Sequence, residues 1–168
     1  MFRGMRRFKQ QLSQEESIQI LEKANSGVLA VSGDDGYPYA VPMCYVYADG
    51  KIYFHCAQAG HKLDAIKRDN KVSFCVVAED TLVAEEYTTY FRSVIAFGKI
   101  RILTDDQEKW DALDLLSRHY VPHDTAENRE MRMRRQWNPT CLLEMEIEHM
   151  TGKESIELVK ARKAKPEG

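Results

Sequence analysis

Gly60-His61-Lys62, a glycine followed by two basic residues at the start of a helix, points most directly to chemistry in this chain. Backbone N–H groups at a helix N-terminus lack intrahelical partners and carry partial positive charge. With a lysine ammonium beside them they form an anion site suited to phosphate, and a glycine lets backbone approach a ligand closely. The same tripeptide also reads as a plain turn glycine ahead of a solvated helix start. His55 ends the preceding strand, where it can meet a phosphate or a ring, or simply bond a backbone carbonyl. Upstream, Val41-Pro42-Met43-Cys44-Tyr45 offers a flat wall of apolar and soft side chains with backbone groups to read the edge of a planar ring; its plainer reading is a strand with an awkward proline. Arg92 and Ser93 open a later strand, positioned either to meet an anion and a ring edge or to stand exposed. Taken together these residues describe a slot for a phosphorylated planar cofactor. His119, His123 and His149 have no informative spacing, and Arg132, Arg134 and Arg135 read as a solvated helix face.

The elements that must position this set follow from periodicity and turn chemistry. Residues 13–25 read as a helix with a Ser13/Glu16 capping box, and with Ile18, Leu21 and Ala24 at helical spacing. Residues 28–32, 37–47 and 51–56 read as strands joined by Asp34-Asp35-Gly36 and Asp49-Gly50 turns. Pro38 and Pro42 demand that the second strand lie at an edge, carry a bulge or turn those positions away from a neighbour. In the third strand Ile52 and Phe54 share one face, Tyr53 and His55 the other. A short helix over 61–68 leads to an apolar strand over 72–77, and then to an irregular acidic loop over 79–90. A long strand over 90–103 bends at Gly98. Residues 104–120 read as a helix capped by Thr104/Gln107, residues 124–136 as a second helix, and 141–149 as the last strand. The sum is six antiparallel strands decorated with helices, a barrel-type architecture.

The 168 residues suit one domain. We divide them into an extension over 1–12, the domain over 13–159 and a flexible tail over 160–168. With 43% hydrophobic and 30% charged residues the chain is of globular composition, and its net charge of −2 provides no pull toward nucleic acid or anionic membrane. The basic N-terminus precedes a polar helix, not an apolar signal core, so a cytoplasmic protein with no membrane association is expected. Cys44, Cys56, Cys75 and Cys141 form no CxxC pair and no metal-type spacing with histidine; reduced, buried thiols are expected, and no metal.

The run YPYAVPMCYVYADGKIYFHCAQAGHKLDAI, then YFRSVIAFGKIRIL and HMTGKESIEL, resembles the flavin-binding split-barrel proteins related to pyridoxamine 5′-phosphate oxidase, most closely their 5-nitroimidazole-resistance (Nim-like) branch. The resemblance spans roughly residues 10–160. It implies a mainly β, six-stranded antiparallel split β-barrel that forms a homodimer, with FMN at the subunit interface. By position, Val41, Pro42, Met43, Cys44 and Tyr45 would line the isoalloxazine, and His55 and Cys56 would meet the phosphate and ribityl chain. His61 and Lys62 would grip the phosphate, and Ser93 would be offered to the flavin by the other subunit. Thr151-Gly152-Lys153 matches a recurrent C-terminal element to which no role is assigned. Pyridoxamine phosphate oxidases carry an arginine where His61 stands and a C-terminal arginine-rich substrate motif that this chain lacks, so oxidase activity is not expected. The implied activity is FMN-dependent reduction of a nitroaromatic or related small aromatic acceptor by NAD(P)H, with His55 the one candidate for a catalytic side chain. The alternative is a flavin- or haem-binding carrier or sensor without turnover, in which His55 or His149 would be a candidate haem ligand.

Overall fold

A computed structural model describes residues 1–164 of the chain. Among these residues seven strands form one antiparallel sheet: β1 (Ser26–Ser32), β2 (Pro38–Cys44), β3 (Val46–Ala48), β4 (Lys51–Ala57), β5 (Lys71–Val83), β6 (Thr88–Ile102) and β7 (Thr140–Glu154). Their order is β2-β1-β5-β6-β7-β4-β3, so the sheet's two edges, β2 and β3, are consecutive in sequence. The sheet therefore curls until its edges approach without closing, a split barrel. The expected second strand over 37–47 is two strands, which raises the count from six to seven. The division falls at Tyr45, where the chain leaves one edge of the sheet and joins the other. Tyr45 is fully buried, and its hydroxyl donates to the Leu21 carbonyl at 2.8 Å, pinning that corner to the first helix.

Among the described residues five α-helices complete the fold: α1 (Gln14–Lys23), α2 (His61–Arg68), α3 (Asp106–Tyr120), α4 (Ala126–Gln136) and α5 (Ile156–Ala164). The Ser13/Glu16 capping box is present in both directions, at 2.8 and 3.1 Å. The expected Thr104/Gln107 box is not the start of α3. Asp105 caps that helix instead, its carboxylate accepting from the Gln107 and Glu108 N–H groups at 3.0 Å each, since an ionised acceptor also favours the helix dipole. The acidic loop expected over 79–90 is mostly paired backbone. Glu79 through Val83 lie opposite Arg92 through Thr88, forming a two-stranded ribbon, because Thr81, Val83, Thr88, Thr89 and Tyr90 are strand formers whose preference outweighs the acidic composition. The tail expected from residue 160 is helical through Ala164, and residues 165–168 lie outside the described part.

The bend expected at Gly98 is a register shift between Phe97 and Gly98 on β6. β7 runs past residue 149 to Glu154, and Gly152 on it is a seat for the N-terminal segment. Its carbonyl accepts from the Leu12 N–H at 3.0 Å, and a side chain there would collide with Ser17 and Leu12. The barrel interior is filled by residues such as Leu29, Phe54, Phe74, Val94 and Met145, all unexposed. A second apolar cluster lies between the sheet and α3–α4, built from Val46, Leu113, Leu116, Met133 and Leu142.

Candidate functional site

β4 ends at Ala57, and the chain turns into α2 through Gly60, whose φ of 139° and ψ of 167° suit a residue without a side chain. Nothing lies within 4 Å of where a Gly60 side chain would stand, so the glycine keeps this helix start open. No side chain caps α2; the Gly60 carbonyl accepts from the Leu63 and Asp64 N–H groups. The N–H groups of His61 and Lys62 take no partner among the described residues. Lys62 is half-buried and makes no ion pair among them, which leaves its ammonium free for a ligand.

His61 is more constrained. Its ring stacks on Tyr39 of β2 with centroids 4.2 Å apart, and its Nε2 stands 3.4 Å from an Asp34 carboxylate oxygen. Asp34 is also held by Arg68 at 2.7 Å, whose hydrogen bond keeps the Asp34 carboxyl below its ordinary pKa. The β1–β2 turn is thereby tied to both ends of α2, and the start of α2 is set against β2.

β2 pairs with β1 alone, so its other side is open, and it approaches β4 across the split. The prolines explain why it is an edge. Pro42 lies opposite Val28 and Pro38 opposite Ser32. Having no N–H, both occupy rungs whose backbone faces outward. Ala40, between them, offers an N–H on that side, and all three offer carbonyls. The five residues 41–45 do not form one surface of side chains: Met43 and Tyr45 are buried, Val41 packs against the core, and Pro42 and Cys44 are exposed. What the strand presents to the slot is backbone, with Pro42 and Cys44 beside it.

His55 lies on the outer face of β4 with Tyr53, as the alternation predicts, while Ile52, Phe54 and Cys56 turn toward the barrel interior. The His55 ring is 5.8 Å from Tyr120 at the end of α3, and the protein around it lowers its pKa by desolvation. Burial, with the neighbouring Cys44 thiol adding to it, pushes the Tyr120 phenol up to about 12. Cys44, His55 and Tyr120 thus form a cluster at the other end of the slot. Cys56 lies opposite Cys141 on β7; burial pushes its thiol up to about 11, against the opposing charge of Lys62.

The desolvation of His55 has a consequence for stability. Its folded-state pKa lies below the ordinary 6.5, so the unfolded chain takes up this proton more readily. The resulting stability is complete above about pH 6.5 and is lost as the pH falls toward the lowered value. Replacing His55 by Gln is expected to shrink the drop in melting temperature between about pH 7.5 and about pH 5. An identical drop in the variant would show that this imidazole is not desolvated.

The chain does not gather every expected residue. Ser93 lies on β6, opposite Val77 and Lys153 and away from the slot's β2 edge. Arg92 is not available to an anion, because Glu79 at 2.6 Å and the buried Glu154 at 3.3 Å already hold it. His149 sits under the N-terminal segment, stacked on Phe2 at 4.8 Å. Tyr39, Asp34 and Tyr120 were not legible as site residues; the hint for Tyr120 is its place just before the Val121-Pro122 helix break. Among the described residues there is no group of three or more His, Cys, Asp or Glu that could hold a metal, and no helix long and apolar enough to cross a membrane.

Comparison with known proteins agrees with this architecture. A Bacteroides thetaiotaomicron protein named as a candidate 5-nitroimidazole antibiotic resistance protein superposes with a TM-score of 0.72 at 24% identity, over 86% of each chain. A FAD-binding protein of Mesorhizobium loti superposes with a TM-score of 0.64 at 25% identity, over 86% of this chain and 96% of the other. A FAD and haem binding protein of Mycobacterium smegmatis gives 0.71 at 21% identity, over 92% and 80%. No protein of curated function matches the chain. The sequence profile of the pyridoxamine 5′-phosphate oxidase family matches residues 13–154, and on that match, carried by the split barrel just described, the chain belongs to this family.

Proposed function

We propose that this protein is an FMN-binding oxidoreductase that uses NAD(P)H to reduce a small aromatic acceptor of the nitroimidazole kind. The observation that carries this reading is the uncapped start of α2, with its unpaired lysine, set beside the open edge of β2. FMN fits those features: its phosphate matches two free N–H groups and an ammonium, and the polar edge of its ring matches carbonyls and an N–H on one strand edge. The Mesorhizobium loti relative, named for FAD binding, supports a flavin; a single anion site supports the mononucleotide. When bound, FMN supplies the capacity to accept a hydride and pass electrons to an acceptor stacked on its face. The chain's residues hold and shield it. Lys62 and the α2 N–H groups neutralise the phosphate, Asp34 and Tyr39 fix His61, and β2 excludes water from one side. His55, whose pKa desolvation lowers, borders the acceptor together with Tyr120.

A homodimer is part of the proposal. The outer face of the sheet carries Val28, Val77, Ile95 and Phe97, between 38% and 60% exposed, and a groove of about 760 Å³ beside Phe97. Contiguous apolar surface of this kind suits a protein partner. Ser93 shares this face, so a second copy packed here would bring its own Ser93 toward the cofactor. It also explains why one chain alone leaves the slot half-walled.

A haem-binding carrier is the second reading, favoured by the Mycobacterium smegmatis relative named for FAD and haem and by the exposed His55. The absorption spectrum of the purified protein, followed by anaerobic NAD(P)H and then a nitroimidazole, decides between them. Flavin bands in the blue and near-ultraviolet that bleach and then return support the reductase. Flavin bands that do not bleach, or a Soret band, support the carrier. A preparation that stays colourless after FMN is added overturns both.

A further inference from the structure

We propose that Cys56 and Cys141 are the two halves of a reversible disulfide that loosens the anion site at the start of α2 when the protein is oxidised. The register of β4 and β7 puts these cysteines directly opposite each other. Facing residues on antiparallel strands have Cα atoms about 4.5 or about 5.5 Å apart, within the span of roughly 4.4–6.8 Å that a disulfide bridges. Both side chains turn to the barrel interior, where Cys141 is buried and Cys56 half-buried.

The surroundings assign the two sulfurs different parts. Cys56 is the more accessible and is the first target of a peroxide: its thiol and hydrogen peroxide give a sulfenic acid and water. Cys141 is then the resolving thiol. The positive charges of Lys67, Lys62 and Lys109 favour its thiolate, working against burial. Its sulfur attacks the Cys56 sulfur, the S–S bond forms, the S–O bond breaks, and hydroxide leaves with the Cys141 proton as water. Two thiols are oxidised by two electrons, and one peroxide is reduced to two waters. Burial raises the pKa of both thiols, so their oxidation is slow and calls for a sustained oxidant.

The position of the rung supplies the readout. It is one residue from the end of the β4–β7 ladder, where Ala57 pairs with Thr140. Beyond it, Gln58 ties the loop to β7 by donating to the Asn138 carbonyl at 3.2 Å and the Thr140 carbonyl at 2.9 Å. A disulfide needs Cβ atoms about 3.8 Å apart, closer than the spacing of about 4.5–5.5 Å between facing Cβ atoms in a ladder. The end of the ladder takes up that contraction and carries the loop, Gly60 and Lys62 with it. This part rests on the reading of Lys62 as a phosphate ligand.

The test compares the full chain before and after hydrogen peroxide. Intact mass is expected to fall by two hydrogens, and a non-reducing peptide map is expected to link Cys56 to Cys141. FMN affinity is expected to weaken about fivefold, and dithiothreitol should restore all three. In Cys141→Ser the sulfenic acid should persist and be captured by dimedone, with no linked peptide. Oxidised, folded wild type without the 56–141 link overturns the proposal, and so does a linked protein whose FMN affinity is unchanged. A chain that binds no FMN even when reduced overturns the flavin reading alone, and the mass and peptide map then still decide whether the cross-link forms.

Discussion

Lys62→Ala is expected to weaken FMN binding by about 10- to 100-fold, the range that follows from losing a charged hydrogen bond of about 1.5–3 kcal/mol. The fold should be largely kept, because Lys62 makes no ion pair among the described residues. A flavin-fluorescence titration measures the effect, with riboflavin as the control. Riboflavin lacks the phosphate, so wild type and variant should bind it equally. His61→Ala should cost less, since its imidazole is already engaged by Asp34 and Tyr39. If Lys62→Ala retains FMN as tightly as wild type, the anion site is elsewhere and the functional proposal loses its main support.

Phe74→Ala carries the largest expected cost in stability, about 3–5 kcal/mol. Phe74 is unexposed, and its ring meets Tyr45 at 4.8 Å and Phe54 at 5.1 Å, both edge to face. It lies opposite Leu29 on β1 and Ala96 on β6, so truncation opens a hole where three strands and the Tyr45 corner converge. At roughly 2–4 °C per kcal/mol for a chain of this size, the melting temperature should fall by about 10 °C or more. Phe97→Ala, on the outer face and 38% exposed, should cost far less. Thermal melts of the two variants check this; a small effect at Phe74 would mean the barrel interior repacks freely.

The parts of the fold legible in the sequence are those governed by local rules. The Ser13/Glu16 box starts α1, and Asp49-Gly50, both with positive φ, make the β3–β4 turn. Gly98 marks the bulge, and the two prolines mark an edge strand. What stayed hidden depends on distant partners. Nothing near Tyr45 announces that the strand divides there; the reason is the Leu21 carbonyl, reached only once α1 packs. Acidic residues over 79–90 concealed a ribbon that only the pairing with the next segment reveals. In the site, Gly60, His61 and Lys62 are neighbours in sequence and their helix start could be read directly. Asp34, Tyr39 and Tyr120 come from three other elements, and only the folded chain brings them to His61 and His55. Ser93 could be read as a candidate from its place at a strand start, but within one chain it lies away from the slot's β2 edge.

The prolines of β2 also govern how this molecule meets its neighbours in a crowded solution. An open strand with a full row of donors invites any stray extended peptide to zip onto it and grow a fibre. Here Pro38 and Pro42 delete alternate donors along the exposed margin, and no continuous zipper can start. Other chains are denied that approach along β2.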